Sequence, residues 1–203
     1  MSDNWEILPE SGLGPLRFGM SEAEARPIAQ PLYGVIEAEG PVGLQSNDEA
    51  YRVLLETMGE EAAREAIGTL EKSGVDLQPS RRISFVSGLM LDFVQDGLDS
   101  IMCHSAAFPL HVGGKPFFGV DPLPALRLLQ QLNGEPPFVK GPDCYFSNIE
   151  VTAFECLLLM PGGGFRATRE GTEEAGQKTI GWQRKQRTPP EDLKSHVRLD
   201  LAT

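Results

Sequence analysis

Three histidines and three cysteines are all that this 203-residue chain offers to metal or thiol chemistry. His104, His111 and His196 stand at no metal-site spacing from one another, from a cysteine or from a carboxylate, so no metal or cofactor is expected. Cys103, Cys144 and Cys156 are odd in number and lack the spacing of a disulfide framework, which predicts reduced thiols. No apolar run approaches the length a bilayer requires, so no membrane association is expected. The start, Met1-Ser2-Asp3-Asn4-Trp5-Glu6, has neither the basic nor the apolar region of a secretory signal. A cytoplasmic protein is the resulting expectation. Positive charge is also scarce: 18 Lys and Arg face 29 Asp and Glu, for a formal net charge of −11. An acidic chain of this kind repels phosphate backbones, which argues against nucleic acid as a partner.

Forty per cent of the residues are hydrophobic and 23% charged, enough apolar material for one medium domain or two small ones. The charge is segregated. Residues 1–160 hold 10 basic and 23 acidic side chains, whereas residues 161–203 hold 8 and 6. The body is strongly acidic and the tail mildly basic. Such a body is soluble, and it steers basic partners toward itself.

The most informative pattern is an internal echo at an offset of 100 residues. Gly14-Pro15-Leu16-Arg17-Phe18-Gly19-Met20-Ser21 is matched by Gly114-Lys115-Pro116-Phe117-Phe118-Gly119-Val120-Asp121. In each copy a short strand ends at a glycine that permits a sharp turn, and Ser or Asp then caps a helix. Ser21 and Glu24 form a capping box, with Met20 and Ala25 as its apolar staple. Pro27 is predicted to stop or kink this first helix after about one turn. In the second copy Asp121 and Pro122 begin a helix whose stripe is Leu123, Leu126, Leu128, Leu129 and Leu132, and Asn133-Gly134 ends it.

Residues 46–73 carry the clearest helical pattern. Ser46 and Glu49 make another capping box, and Tyr51, Leu54, Leu55, Met58, Ala62, Ala66 and Leu70 share a face. The other face holds Glu56, Glu60, Glu61, Glu65 and Glu71 among Arg52, Arg64 and Lys72, the composition of a solvated surface. Three β-prone runs follow at 82–86, 89–94 and 98–104, separated by Ser87-Gly88 and Asp96-Gly97, which predicts an antiparallel meander. On its strands Leu89, Leu91, Phe93, Ile101 and Cys103 face one way; Met90, Asp92, Val94, Met102 and His104 face the other. The second set mixes apolar and polar side chains as interaction surfaces do. It is equally suited to being covered by the second half of the chain. Residues 138–140, 144–147 and 150–160 repeat the strand pattern before Pro161-Gly162-Gly163-Gly164 breaks it. Beyond lies a polar tail with a candidate edge strand at 179–184 and a short terminal helix after Pro189-Pro190.

The expected class is α+β: two tandem helix-plus-antiparallel-sheet modules with a long helical insertion in the first. The first module spans residues 1–110 with its insertion at 46–73, the second 111–160, and the tail 161–203. No catalytic constellation is apparent. Cys103 and His104 are neighbours on a strand and so face opposite sides, which rules them out as a nucleophile and base. Gly162–Gly164 lacks the Lys-Ser/Thr of a phosphate loop, and Asp96 of the Asp92, Asp96 and Asp99 group belongs to a turn. Trp182-Gln183-Arg184-Lys185-Gln186-Arg187 is too small a basic patch to hold nucleic acid.

The opening Trp5-Glu6-Ile7-Leu8-Pro9, with Gly12-Leu13-Gly14-Pro15-Leu16-Arg17-Phe18-Gly19-Met20-Ser21, resembles the N-terminal signature of small bacterial toxin-immunity proteins. It also looks like the helix-and-sheet module of beta-lactamase inhibitory protein and of small outer-membrane assembly lipoproteins. The echo at Phe118-Gly119-Val120-Asp121 fits a tandem version of that module. Pro27, the insertion across residues 35–80 and the missing signal or lipidation cysteine depart from the pattern, which leaves a cytosolic immunity-type role. The resemblance implies a non-enzymatic inhibitor, monomeric or weakly dimeric, that occludes the active site of a cognate toxin. An acidic inhibitor suits a basic toxin such as a nuclease. The candidate contact residues are Met90, Asp92, Met102 and His104 on the sheet, or Glu56 and Glu60 on the acidic helical face. The competing readings are a scaffold protein and a hydrolase or transferase using one of the three cysteines.

Overall fold

The computed structural model describes residues 5–42, 47–73, 80–104, 110–119, 121–160, 164–168, 178–184 and 192–202. The first half begins with a small antiparallel sheet of β1 (Ile7–Leu8), β2 (Gly12–Leu13) and β3 (Leu16–Arg17), followed by α1 (Glu22–Tyr33) and β4 (Ile36–Pro41). Two helices, α2 (Asn47–Met58) and α3 (Glu60–Ser73), precede the meander β5 (Ser80–Phe85), β6 (Leu89–Val94) and β7 (Gly97–His104). The second half opens with the hairpin β8 (His111–Val112) and β9 (Lys115–Pro116), then α4 (Leu123–Asn133), β10 (Phe138–Lys140), β11 (Asp143–Phe146) and β12 (Val151–Phe154). A side hairpin, β13 (Leu157–Leu159) with β14 (Phe165–Ala167), leads to β15 (Thr179–Gln183); a 3-10 turn at Asp192–Ser195 and β16 (Val197–Arg198) follow.

Each half is thus a helix followed by a four-stranded meander, and the fold is α+β as expected. The echo is structural as well as sequential. Gly14 and Gly114 have φ of 51° and 71°, Gly19 and Gly119 of 85° and 75°, so matching glycines make the same left-handed turns before α1 and α4. Ser21 caps α1 in the expected capping box with Glu24. Asp121 accepts a hydrogen bond from the Leu123 N–H at 3.0 Å, although α4 starts one residue later than Pro122.

The two meanders join in one nine-stranded antiparallel sheet of order β16-β10-β11-β12-β15-β7-β6-β5-β4. The last strand of each module lies at the centre, where β15 pairs with β7 from Thr179↔His104 to Gln183↔Ser100. The strand expected at 179–184 therefore exists, but it is central rather than an edge. Register carries one apolar face across the join: Leu91, Ile101, Trp182, Val151 and Phe146 are successive cross-strand partners, and so are Leu89, Cys103, Ile180, Ala153 and Cys144. Ala25, Ala29 and Tyr33 of α1 and Ala125, Leu126 and Leu129 of α4 bury against this face, and both halves contribute to a single core cluster.

Three local expectations need correction. First, α1 runs through both Pro27 and Pro31. Both prolines are exposed, so the carbonyls that lose their N–H partners lie on the solvent side, while the capping box and the burial of Ala25, Ala29 and Tyr33 hold the helix. Second, the pattern at 46–73 is two helices that break at Gly59, φ 83°, and pack against each other. Ala50 and Ala63 are buried there, whereas Leu55 and Met58 from the expected apolar face are exposed. Third, the turn between β6 and β7 is centred on Gln95 and Asp96, φ 49° and 65°, not on Asp96-Gly97. Two positive φ values match the right-handed twist of the hairpin, and Gly97 already belongs to the strand. The described strands of the second half extend the sheet face of Met90 and Met102 sideways.

Candidate functional site

Helices α1 and α4 cover one face of the sheet, and alternation places a second set of side chains on the other. Across its centre the cross-strand row runs Ser84, Met90, Met102, Gly181, Thr152 and Tyr145. A neighbouring row runs Arg82, Asp92, Ser100 and Gln183. Thr179 lies between His104 and Phe154 in a third. Apart from the buried Tyr145, these side chains are half-buried. Gly181 interrupts the middle row, and a groove of about 220 Å³ opens over it, lined by Ser100, Met102, Glu150, Thr152, Phe154 and Gln183.

Of the expected contact residues, Met90, Asp92, Met102 and His104 all lie on this face, and Met90 and Met102 are direct cross-strand partners. Asp92 is already engaged. Arg82 grips its carboxylate with two bonds, Nε to Oδ1 at 2.6 Å and Nη2 to Oδ2 at 2.8 Å, and Ser100 donates to Oδ2 at 3.1 Å. A bidentate pair of this kind pins three strands together and removes most of the charge from the surface. His104 lies over Gly88, where an added Cβ would sit 2.9 Å from its ring. Its Nδ1 is buried without a hydrogen-bond partner. Glu56 and Glu60 lie on the α2–α3 insertion between β4 and β5, both exposed, and Glu60 pairs with Arg64 at 2.6 Å.

Sequence reasoning missed Glu150, Gly181 and Gln183. Glu150 looked like the first residue of a strand, and Gly181 and Gln183 sat in a presumed edge strand. Glu150 instead closes the turn before β12 with φ 51°, a conformation uncommon without glycine. Its two oxygens are held apart: Tyr145 Oη donates to Oε1 at 2.9 Å and Gln183 Nε2 to Oε2 at 3.1 Å.

No family model, curated protein or solved structure matches this chain.

The thiols belong to the other face. Cys103, Cys144 and Cys156 are all buried and unpaired with one another. Burial pushes the Cys103 and Cys144 thiols well up and that of Cys156 to about 12, so all three stay protonated near neutrality. Cys103 points into the core while His104 points away from it, as strand alternation required. Native protein is expected to show no reaction with a thiol-selective disulfide reagent over minutes at pH 8, and three equivalents after denaturation in guanidinium. Rapid labelling of any thiol in the native state would contradict this burial. Among the described residues no three His, Cys, Asp or Glu side chains converge as a metal ion would need. No described helix is long and apolar enough to cross a membrane.

A larger depression of about 280 Å³ lies at the other end of the first module, between Glu22, Pro41, Arg81 and Phe93. An ion-pair network borders it. Arg26 bridges Glu22 at 2.6 Å and Glu39 at 2.5 Å, and Arg81 reaches the same two carboxylates at 3.1 and 3.3 Å. Its charges satisfy one another, which ties α1 to the edge strand β4 and its neighbour β5.

Proposed function

We propose that this protein is a cytosolic immunity-type inhibitor that binds a cognate toxin enzyme one to one and occludes its active site with the open face of the sheet. The observation that carries this reading is that face itself: a continuous two-module surface with methionines and aromatic carbon at its centre and a polar surround, on the side of the sheet opposite α1 and α4. Such a composition is what protein interfaces present at their core. The acidic balance of the chain favours a basic partner, because complementary fields speed encounter. The buried, protonated thiols weigh against the alternative of a cysteine-dependent hydrolase.

The test is retention of a partner on the immobilised chain through a high-salt wash, followed by an assay of the retained enzyme. The expected result is one enzyme, bound at equimolar amount and inactive in the complex. Met102→Lys should weaken binding at least about ten-fold, as loss of a central interface contact does. Glu56→Lys and Glu60→Lys should have little effect. A partner whose binding depends on Glu56 or Glu60 and ignores Met102 would move the interface to the helical insertion. An enzyme that stays active in the complex would end the inhibitor reading.

A further inference from the structure

We infer that the groove over Gly181 is a receptor for one guanidinium group, the side chain of an arginine carried on a loop of the protein partner. This rests on the reading of the open face as a protein-binding surface and names what its centre recognises. Three independent features of the groove agree.

The first is room. Gly181 is the only glycine among the cross-strand partners of the middle row, and its neighbours Met102 and Thr152 stand on either side of the gap. An added Cβ there would meet Met102 Cε no closer than 3.6 Å, ordinary contact distance. Close packing beneath does not demand a glycine at this position. Its absence of a side chain leaves a space on the open face large enough for a planar group.

The second is charge. The Glu150 carboxylate lines the groove, and its bonds from Tyr145 and Gln183 are hydrogen bonds from neutral donors. No cation of the described chain pairs with it. Of the arginines on this face, Arg82 is committed to Asp92 and Arg198 to Glu135. A carboxylate accepts about four hydrogen bonds, so each Glu150 oxygen retains capacity for a further donor. The two neutral donors also fix the plane of the carboxylate, which prepares it for a fork-to-fork contact. The strained backbone at Glu150 is consistent with a side chain held in place for contact rather than left to solvent.

The third is the walls. Met102 and Phe154 supply polarizable and aromatic carbon on the flanks of the groove, and Ser100 and Thr152 add hydroxyl oxygens. A guanidinium is weakly hydrated, stacks on aromatic and thioether surface and presents five N–H donors in one plane. An ammonium would leave the apolar walls unused.

The experiment is a titration of the isotopically labelled full chain with Nα-acetyl-arginine methylamide, followed by amide chemical shifts. The citrulline and lysine analogues serve as the neutral and point-charge controls. Saturable shifts are expected at Thr152, Gly181 and Gln183, with the citrulline analogue at least about ten-fold weaker because it lacks the charge. Glu150→Gln keeps the shape and both neutral contacts, and should weaken the arginine analogue by a similar factor. Gly181→Leu fills the space without a backbone penalty, and should abolish the shifts while leaving the fold intact; it keeps the test decisive if Glu150→Gln is unstable. No saturable shift, equal shifts from citrulline, preference for the lysine analogue, or an undiminished response in Glu150→Gln would overturn the inference. The wider reading is tested separately. If Gly181→Leu blocks the retained protein partner but the arginine analogue does not bind, the open face remains the interface and the guanidinium receptor is wrong. If the analogue binds and the partner ignores Gly181→Leu, the receptor stands and the interface lies elsewhere.

Discussion

Trp182→Ala is expected to destabilise the protein by about 3–5 kcal/mol, the range for deleting a large buried aromatic side chain. Trp182 is 2% exposed and lies at the centre of the sheet, between Ile101 of the first module and Val151 of the second. Its indole Nε1 donates to the Gly12 carbonyl at 2.9 Å, which ties the N-terminal sheet to the join between modules. Losing the ring leaves a cavity at the one place where all three parts meet. Trp182→Phe separates the two contributions. It keeps most of the apolar contact and should cost less, with roughly 1–3 kcal/mol arising from the unsatisfied Gly12 carbonyl. Urea denaturation followed by far-UV circular dichroism measures both. A loss below about 1 kcal/mol for Trp182→Ala would mean that the modules do not depend on this contact for their union.

Lys178→Met is expected to act in the opposite direction. Lys178, the residue before β15, is fully buried, and its Nζ has no hydrogen-bond partner. The Thr168 hydroxyl is likewise buried and unpartnered. A buried polar group left without a hydrogen-bond partner costs at least about 1–3 kcal/mol on the scale of protein substitutions. Methionine fills a similar volume with no polar atom. The variant should therefore gain roughly 2 kcal/mol, which raises the melting temperature by about 4–8 °C for a chain of this size. Thermal unfolding of the two proteins side by side gives the answer. A fall in melting temperature would show that the amine is satisfied in solution, by a contact that methionine cannot supply.

Both variants concern β15 or the residue that leads into it, and β15 is the element whose role is least legible from the sequence. Residues written in the one-dimensional pattern were read well where they act locally. Ser21 and Glu24 make a capping box wherever they precede a helix, and Leu89, Leu91 and Phe93 must share a face if their segment is a strand. The repeated Phe-Gly before Ser21 and Asp121 marked two modules, because matching left-handed glycines make matching turns. Met90, Asp92, Met102 and His104 were placed on one face by alternation alone.

Other features depended on what lies far away along the chain. Pro27 weakens a helix in isolation, yet α1 continues because its buried face packs on the sheet and the lost hydrogen bond lies toward water. Gly59 was one neutral residue in a helical pattern until the chain used it to reverse direction. Asp92 read as an available acid because nothing in its own segment announces Arg82, ten residues earlier, as its cross-strand partner. Glu150 and Gly181 come together only because β12 and β15 are neighbours, with β13 and β14 between them in the chain.

The sequence by itself therefore determined the class, the two modules, the meander and the two faces of β6 and β7, since caps, turns and alternation are set by residues a few positions apart. The tertiary structure alone decided that the two meanders join through β7 and β15 into one sheet, that the tail supplies a central strand, and that a glycine and a carboxylate meet at its middle. An alternating strand such as 179–183 satisfies the pattern of an edge or a centre equally well. Burial of Ile180 and Trp182 against both modules, with hydrogen-bond partners on either side, selects the centre.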